Sequence, residues 1–440
     1  MKKLLLICAV IAVVTSLVLV GCAPKPAPAG EIVVGVVAPL TGMFAGFAEG
    51  ILFGIQAAVE DINKLGGVNV GGTMMKIKLV VVDYESDPAK AGALAEDVIL
   101  RSKVQFIVHG IEPPHVRAPI AVKCEAHKVP HVTGVGPFEA WMGLRAEAPV
   151  PWTYTWAISF AIATPAPPGD FRHGKIGYNM MDSWTSALKE IEPLTNKKVA
   201  ALASDEPDGR GWYLAFSPVL KEMGWEVYKV EQRFGLVPLE TIDFSPLIKE
   251  WKDADCETLW ANCPAPWFGV FWKQAYAMGF KPKMVYATRA GLFYSDVFAW
   301  GPDLVHGISN EMFWNPAIKD SPGIGGTTPQ SFADRWVKEK KQPYSQVMGS
   351  SYAAVQVLID ALERAGSTEP EKVNAALAKT DLMTIYHRVV FDKDQFSRVP
   401  VGFGQWIKVD KPWQLENPIV ISQHDFMPIM APLLFPIPYE

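Results

Sequence analysis

The feature that most constrains this chain is a regular alternation of short apolar strand segments with amphipathic helical segments. "EIVVGVVAPL" predicts a strand, "FAEGILFGIQAAVEDINKLGG" a helix ending at Gly66-Gly67, and "KIKLVVVD" the next strand. Asp87 and Pro88 predict the N-cap and first residue of a second helix. Because the strand segments are apolar throughout, we expect a parallel sheet covered by helices on both faces.

A second alternating series follows the proline- and glycine-rich residues 154–179. "KKVAALAS", "ETLWANC" and "KMVYAT" predict strands with helices between them, so two α/β lobes are expected. Beyond Pro316 come three helical segments. "TIYHRVVFD" and "GFGQWIKVD" are then predicted to pair as a hairpin around "KDQFS", and the proline-rich tail, residues 416–440, is predicted to be irregular.

The N-terminus reads as an export signal. Two lysines precede an apolar run that ends in "LVGC", which predicts a signal peptide over residues 1–21, with a stop-transfer helix as the alternative. "LVGC" resembles a lipobox, so Cys22 is the expected lipidation site, and residues 22–30 form a proline-rich tether. No other run is apolar enough to span a bilayer. We therefore expect an exported periplasmic or cell-surface lipoprotein, held at a membrane through its lipid anchor only.

Charge and cysteine content exclude several classes of protein. The net charge is -5 and no basic patch lies along the chain, which makes nucleic acid an unexpected partner. Beyond Cys22 the cysteines are Cys124, Cys256 and Cys263, with no CxxC or zinc spacing. They are expected to be free, buried thiols.

The glycine-rich stretch "VVGVVAPLTGMFAGFAEG" raises the question of a phosphate site. Its spacing is GxxxGxxxG rather than GxGxxG, and no P-loop lysine follows, so the pattern disfavours a nucleotide and no cofactor is expected. Two interpretations remain open. Amides at the helix start receive an anionic group of a ligand, or the glycines allow close packing of helix and sheet.

Histidines cluster in the first lobe. His109, Glu112, His115, His127 and His131 lie within 23 residues, and two of these histidines end predicted strands. A metal site is one interpretation. Because Pro113-Pro114 interrupts any helical presentation and no HExxH motif exists, histidines that line a pocket or lie at the surface are the favoured interpretation, and no metal is expected.

Catalytic motifs are not found. No GxSxG sequence occurs and no cysteine has a context that lowers its pKa. The carboxylates Asp205, Glu206 and Asp208 fit acid–base chemistry, but they equally fit a polar turn after a strand. The chain is therefore not expected to be an enzyme.

Tryptophan is abundant, with 15 residues, and several lie near predicted helix starts in the second lobe: Trp184, Trp212, Trp267 and Trp272. Most large aromatic side chains belong to the core. One or two of these are expected to stack on an apolar ligand instead.

Taken in order, several segments resemble a known family. "IVVGVVAPLTGMFAGFAEGILFGIQAAVEDINKLGGV", "DPAKAGALAEDVI", "VAALASDEPDGRG", "FWKQAYAMGFKPK", "SSYAAVQVLIDALERAGSTEPEKVNAAL" and "VVFDKDQF" are similar to extracellular ligand-binding receptors of the leucine/isoleucine/valine-binding type. These are type I periplasmic binding proteins, which deliver ligands to ABC importers. The resemblance covers residues 31–409 and rests on the order of the segments rather than on one motif.

The resemblance implies an α/β fold of two Rossmann-like lobes with parallel sheets, joined by a three-strand hinge. Lobe 1 would comprise residues 31–155 plus 311–385, and lobe 2 residues 156–310 plus 386–415. A small-molecule ligand would bind between the lobes at the carboxyl ends of strands, with closure about the hinge. The implied partners are the permease and ATPase subunits of an ABC importer, and the protein itself is expected to be a monomer.

The family's site carries over only in part. Pro113 and Pro114 occupy the positions of the serine that holds an amino acid's carboxylate, and proline has no N–H. The family's aromatic residue of the second lobe matches Asp208, and its acidic residue, which pairs with the ligand ammonium, falls at Thr288. Phe47 keeps the aromatic character of the first loop.

The expected ligand-binding residues combine this comparison with the motifs above. They are Phe47, Glu112, His115, Thr133, Gly134, Trp184, Asp208, Trp267, Thr288 and Arg289. Arg289 is expected to pair with a ligand carboxylate. The predicted ligand is therefore an organic acid, aromatic in character, or an amino-acid-like compound.

Other functions remain open at this point. A branched-chain amino acid binder with an altered pocket is one alternative, and a ligand-sensing subunit for a regulator or receptor is another. An enzyme on the same scaffold would need a nucleophile or cofactor loop, which the sequence does not contain.

Overall fold

A computed structural model describes residues 30–439 of the chain. The predicted signal peptide, Cys22 and all of the tether except Gly30 lie outside the described residues. The strands are β1 (Glu31–Ala38), β2 (Val68–Val70), β3 (Thr73–Asp83), β4 (Phe106–Val108), β5 (His131–Thr133), β6 (Thr155–Ser159), β7 (Lys198–Ser204), β8 (Glu226–Val227), β9 (Leu236–Val237), β10 (Thr258–Asn262), β11 (Met284–Thr288), β12 (Ile308–Met312), β13 (Asp381–Met383), β14 (Arg388–Val390), β15 (Phe396–Arg398), β16 (Gly402–Gln405), β17 (Ile407–Lys408), β18 (Leu415–Glu416) and β19 (Ile419–Ile421).

The α-helices are distributed along the whole described chain. They are α1 (Ala45–Lys64), α2 (Pro88–Leu100), α3 (Pro114–His127), α4 (Phe138–Glu147), α5 (Met180–Ile191), α6 (Pro207–Glu222), α7 (Ser245–Asp253), α8 (Ala265–Ala277), α9 (Tyr294–Trp300), α10 (Pro302–Val305), α11 (Pro329–Lys340), α12 (Val347–Ala365) and α13 (Pro370–Leu377). Short 3₁₀ turns lie at Glu192–Leu194, Val230–Gln232 and Ile324–Gly326.

The strands form two large sheets. The first has the order β15-β6-β5-β4-β1-β3-β2, and the second β19-β16-β12-β11-β10-β7-β8, with β9 paired to β7. Pairing within the first sheet is parallel except for β2 with β3, whereas β16 and β19 add antiparallel strands to the second. The predicted α/β fold class is confirmed.

Local sequence signals place several helix ends correctly. The Asp87 side chain accepts a hydrogen bond from the Ala89 N–H at 2.9 Å, as expected of an N-cap. The glycines after α1 have φ values of +104° at Gly66 and +109° at Gly67, which other residues rarely adopt. Helix α1 packs against α12, and a β-carbon at Gly54 would lie 2.4 Å from the Met348 carbonyl oxygen.

The predicted hairpin and tail differ from the structure. β14 pairs with β13, and β16 pairs with β12 and β19, so "TIYHRVVFD" and "GFGQWIKVD" do not pair with each other. β19 lies at the edge of the second sheet and is buried, although residues 416–440 were expected to be irregular. Strand pairing is a non-local property, so a polar turn between two apolar segments does not by itself make them partners.

Sheet membership also differs from the predicted lobe boundaries. All of β6 lies in the first sheet and all of β12 in the second, so each boundary is displaced by a few residues. β15 pairs with β6 in the first sheet, although residues 386–415 were assigned to the second lobe. From β6 to β7, from β12 to β15 and from β15 to β16, the chain passes three times between the sheets.

Buried apolar side chains fill the space between sheets and helices, including most of the tryptophans. The three cysteines of the described region are buried and unpaired, which confirms the expectation. Among residues 30–439 no helix combines the length and the apolar character needed to cross a membrane.

Candidate functional site

A small cavity of about 20 Å³ lies between the two sheets. This is room for about one water molecule and far below the volume of a small-molecule site, so the two walls lie close together. The lining residues come from the ends of strands and the loops of both sheets: Phe47, Ile111, Glu112, Pro113, Gly136, Phe160, Asp208, Trp212, Asn262, Arg289, Leu292, Glu311 and Phe313.

One wall follows the strands of the first sheet. Phe47 lies in the first turn of α1, and Ile111, Glu112 and Pro113 form the loop between β4 and α3. Gly136 and Phe160 follow β5 and β6. Because these strands are parallel, their carboxyl ends meet at the same edge of the sheet, where α/β proteins bind ligands.

Glu112 is the charged residue of this wall. The Tyr84 hydroxyl donates to its Oε1, and the Arg117 Nε lies 2.9 Å from its Oε2. The His109 Nε2 lies 3.7 Å from the same Oε2. Burial raises the pKa of Glu112 to about 7, although the charge of Arg117 opposes the shift. A buried cation thus already accompanies this carboxyl.

The opposite wall is built from the parallel strands of the second sheet. Asn262 ends β10 and lies beside Thr288, which ends β11. Arg289 follows directly, and Glu311 lies near the end of β12. Asp208 belongs to the first turn of α6, so this wall also gathers its side chains at the carboxyl ends of strands.

Arg289 is held by a dense set of hydrogen bonds. Its Nη1 donates to the Glu206 Oε1 at 2.8 Å and to the Asp208 Oδ2 at 2.7 Å, and its Nη2 donates to the Ser204 Oγ at 2.7 Å. The Arg289 backbone N–H donates to the Glu311 Oε1 at 2.8 Å, with φ at +57°. The guanidinium is therefore committed to protein partners.

The carboxyls around Arg289 have displaced pKa values. Burial by itself raises the pKa of Glu206, but the charge of Arg289 outweighs it and lowers that pKa to about 2. Burial raises the pKa of Asp208 to about 7, against the attraction of Arg289. Burial likewise raises the pKa of Glu311 to about 8. Such displaced values are common at functional sites.

Several aromatic contacts join the two walls. The rings of Phe47 and Phe293 meet edge to face with centroids 4.6 Å apart, and Phe160 stacks on Phe313 at 4.7 Å. Next to the cavity, the His115 Nδ1 lies 3.6 Å from the Glu206 Oε2. Burial lowers the pKa of His115, so this contact is between a neutral imidazole and a carboxylate at neutral pH.

Four of the ten sequence-predicted site residues line the cavity: Phe47, Glu112, Asp208 and Arg289. His115 does not line it and instead faces Glu206. The Thr133 hydroxyl donates to the Gly134 carbonyl at 3.0 Å, and a β-carbon on Gly134 would lie 2.3 Å from the Ile111 nitrogen. Neither residue lines the cavity, and Gly134 packs closely against the Ile111 loop.

The other three predicted residues lie in the body of the second lobe. Trp184 stacks on Tyr286 with ring centroids 4.5 Å apart, and Trp267 meets Phe244 edge to face at 4.7 Å. The Thr288 hydroxyl donates to the Ala261 carbonyl at 2.8 Å. These side chains complete the core because their helices and strands turn them inward, which a position near a helix start does not reveal.

Asn262, Glu311, Phe160, Phe313 and Trp212 also line the cavity, although none of them is among the expected ligand-binding residues. Each lies at or beyond a strand end, or in the first two turns of a helix that follows a strand. Asn262 ends a strand that the sequence predicts, whereas β6 and β12, which position Phe160, Glu311 and Phe313, are not predicted as strands.

The histidine cluster does not converge on a metal site. Within the described part of the chain, no group of three or more His, Cys, Asp or Glu residues is arranged to hold a metal ion. The His131 Nδ1 lies 3.4 Å from the Thr155 Oγ1, and burial lowers the pKa of this histidine to about 3. His109 and His131 are buried structural residues.

The glycines of the first loop permit close packing. A β-carbon at Gly46 would lie 2.5 Å from the Asp296 Oδ2, and one at Gly50 would lie 2.5 Å from the Ser345 Oγ. At the start of α1 the Phe44 N–H donates to the Ser86 Oγ at 3.0 Å. These contacts show that Gly46 and Gly50 allow close packing, but against α9 and the residues before α12 rather than against the sheet.

Comparison with known proteins shows which family has this architecture. A family model described as periplasmic binding protein matches residues 31–408. The Leu/Ile/Val-binding protein homolog 3 of Brucella melitensis is 26% identical over 355 residues, which cover 79% of this chain and 82% of the relative. A leucine-, isoleucine-, valine-, threonine- and alanine-binding protein of Pseudomonas aeruginosa is 24% identical over 387 residues, 86% and 90% of the two chains.

Solved structures show the same fold. An ABC transporter solute binding protein of R. palustris, in complex with 4-hydroxybenzoate, has a TM-score of 0.68 at 23% identity, covering 90% of this chain and 98% of that one. The branched-chain amino acid binding protein LivJ of Streptococcus pneumoniae, in complex with isoleucine, has a TM-score of 0.68 at 18% identity, with coverage of 88% and 100%. The resemblance found in the sequence is thereby confirmed, and the relatives are substrate-binding proteins rather than enzymes. The chain belongs to the periplasmic binding protein family.

Proposed function

We propose that this protein is the substrate-binding component of an ABC importer, exported and held at a membrane by a lipid on Cys22. It captures a small organic solute between its two lobes as a monomer and presents the loaded form to permease and ATPase subunits. The observation that carries the proposal is the cavity itself, lined by the strand ends of both sheets. The names of the relatives support the transporter assignment.

Ligand capture would proceed by closure about the three chain passages between the sheets. The Phe47–Phe293 and Phe160–Phe313 contacts join residues of opposite walls or of the passages between them. Rotation of the lobes away from each other would break such contacts and open the cavity to solvent. A ligand that touches both walls favours the closed state by its additional contacts there.

The proposed ligand contacts are the residues that line the cavity. Phe47, Phe160, Trp212 and Phe313 offer aromatic surface for an apolar or aromatic body. The organic-acid ligand expected from the sequence relied on an available Arg289. Because its guanidinium is bonded to Glu206, Asp208 and Ser204, that role is not retained in the proposal.

Mass spectrometry of ligand released on denaturing the full chain tests the function directly. We expect a small organic solute in stoichiometric amount, and small-angle scattering should show a more compact protein when that solute is present. Phe47→Ala should weaken its binding by about tenfold or more, since the ring is buried against the cavity. Phe298→Ala is the matched control, because that ring is 38% exposed on α9. The proposal fails if no solute is released, none of a broad solute panel binds, and compaction is absent.

A further inference from the structure

Three buried oxygen atoms on the second wall have no well-formed hydrogen bond within the described chain. They are the Asp208 Oδ1, the Asn262 Oδ1 and the Glu311 Oε2. All three residues line the cavity, and their exposures are 3%, 0% and 2%. Buried polar atoms nearly always have a partner, so a group of three that share one cavity indicates a missing donor.

Carboxyls also outnumber cations on this wall. One guanidinium, that of Arg289, faces three carboxyls, those of Glu206, Asp208 and Glu311. The remaining titratable neighbours are neutral at pH 7. His115 has a lowered pKa, whereas burial raises the pKa of Cys263 and of Tyr286. Glu112, on the opposite wall, has its own partner in Arg117.

We propose that the cleft takes an organic amine, whose ammonium group lies between Asp208, Asn262 and Glu311. The inference rests on the proposed function and names the chemical class of its ligand. An ammonium offers up to three donors, which is the number of free acceptor oxygens on this wall. It also brings a positive charge to a wall where three carboxyls share one guanidinium, and so favours their ionised forms.

The rest of the lining determines that the cation is organic. Phe47, Phe160, Trp212 and Phe313 surround the polar wall, and aromatic faces attract alkylammonium groups while offering nothing to the hydration shell of a metal ion. A ligand carboxylate would find few free hydrogen-bond donors on this wall. The free donor on this wall is the Arg289 Nε, beside two excess carboxyls.

Proton linkage provides a readout that is independent of affinity. Burial raises the pKa of Asp208 to about 7 and of Glu311 to about 8, so both are partly protonated at pH 7. An ammonium beside them favours their ionised forms and lowers both pKa values, which releases protons. A carboxylate in the same place would retain those protons or take up more.

The test is calorimetric titration of the full chain with three matched probes, 2-phenylethylamine, 2-phenylethanol and phenylacetate, in two buffers of different ionisation enthalpy at pH 7. We expect the amine to bind at least about tenfold more tightly than phenylacetate, with release of protons. Glu311→Gln should weaken amine binding by about tenfold and reduce proton release, while 2-phenylethanol binding changes little.

The variants distinguish a direct contact from a loss of fold. Glutamine keeps the acceptor that the Arg289 N–H uses, so Glu311→Gln is expected to fold. Asp208→Asn serves as a second variant with the same expected effect. Glu369→Gln is the matched control, since that side chain is 63% exposed and the residue directly precedes α13, far along the chain.

The inference is overturned if phenylacetate binds more tightly than the amine. It is also overturned if the amine binds without releasing protons and Glu311→Gln has no effect on its binding. Either result leaves the proposed function standing. Failure of all three probes, together with recovery of an anionic solute from the purified protein, would also overturn it. Binding of magnesium or calcium ions in place of the amine, abolished by Glu311→Gln, would contradict the organic ligand.

Discussion

Replacing Arg289 by methionine tests the electrostatic account of the second wall. The side chains of Arg289, Asp208 and Glu206 are 5%, 4% and 13% exposed, so the substitution leaves two buried carboxyls without their cation. Removing one partner from a buried ion pair costs about 3–5 kcal/mol. In a domain of lobe size this corresponds to a fall in Tm of roughly 6 °C or more.

The stability loss should depend on pH, with a sign given by Glu206. Its folded pKa of about 2 lies below the usual value of 4.5, so the ion pair stabilises the protein above pH 4.5 and loses this effect as the pH falls toward 2. Arg289→Met removes the cause of the shift. The difference between wild type and variant should therefore be largest at pH 7 to 8 and smaller near pH 3.

Thermal and urea unfolding, followed by the fluorescence of the 15 tryptophans, measure both effects. Arg210→Met is the matched control, because Arg210 pairs with Asp205 at the surface and its side chain is 54% exposed. Exposed pairs contribute about 0–1 kcal/mol. A loss in Arg289→Met no larger than in the control, or one that grows toward acid pH, would refute the reasoning.

Two further predictions concern packing. Trp184→Ala should destabilise the protein by about 3–5 kcal/mol in urea unfolding, because the fully buried ring stacks on Tyr286, yet ligand affinity of the folded protein should stay within about threefold. Gly54→Ala should lower Tm measurably, because its β-carbon would lie 2.4 Å from the Met348 carbonyl oxygen in the contact between α1 and α12. Gly143→Ala is the control and should leave Tm unchanged, because no atom lies within contact distance of a β-carbon there. Equal Tm values for the two variants would contradict this account.

Much of the fold was predictable because its signals are local. The apolar runs of β1, β3, β7, β10 and β11 and the periodic helices between them identified a parallel α/β protein. The partners of β15, β16 and β19 were not predictable in this way. β15 and β19 are short edge strands, and β16 lies between β19 and β12. β15 and β16 pair with strands from much earlier in the chain, and no local pattern encodes that pairing.

The candidate site was predictable in part for a related reason. Phe47, Glu112, Asp208 and Arg289 lie where strands end, and they line the cavity. Trp184, Trp267 and Thr288 met the same criterion of position, but their side chains turn into the core. The direction of a side chain depends on how helices pack on the sheet.

The sequence by itself determined the layered α/β architecture, because strand and helix periodicity depends on neighbouring residues. The order of its segments carried the resemblance to periplasmic binding proteins. Only the tertiary structure decided what Arg289 does. Its guanidinium donates to Asp208, which lies 81 residues earlier in the chain. The positive charge of Arg289 is therefore paired within the protein, and the unpartnered groups on this wall are mainly acceptor oxygens. Charge balance in a buried cleft depends on which strand ends meet in space, and adjacency in sequence does not specify this.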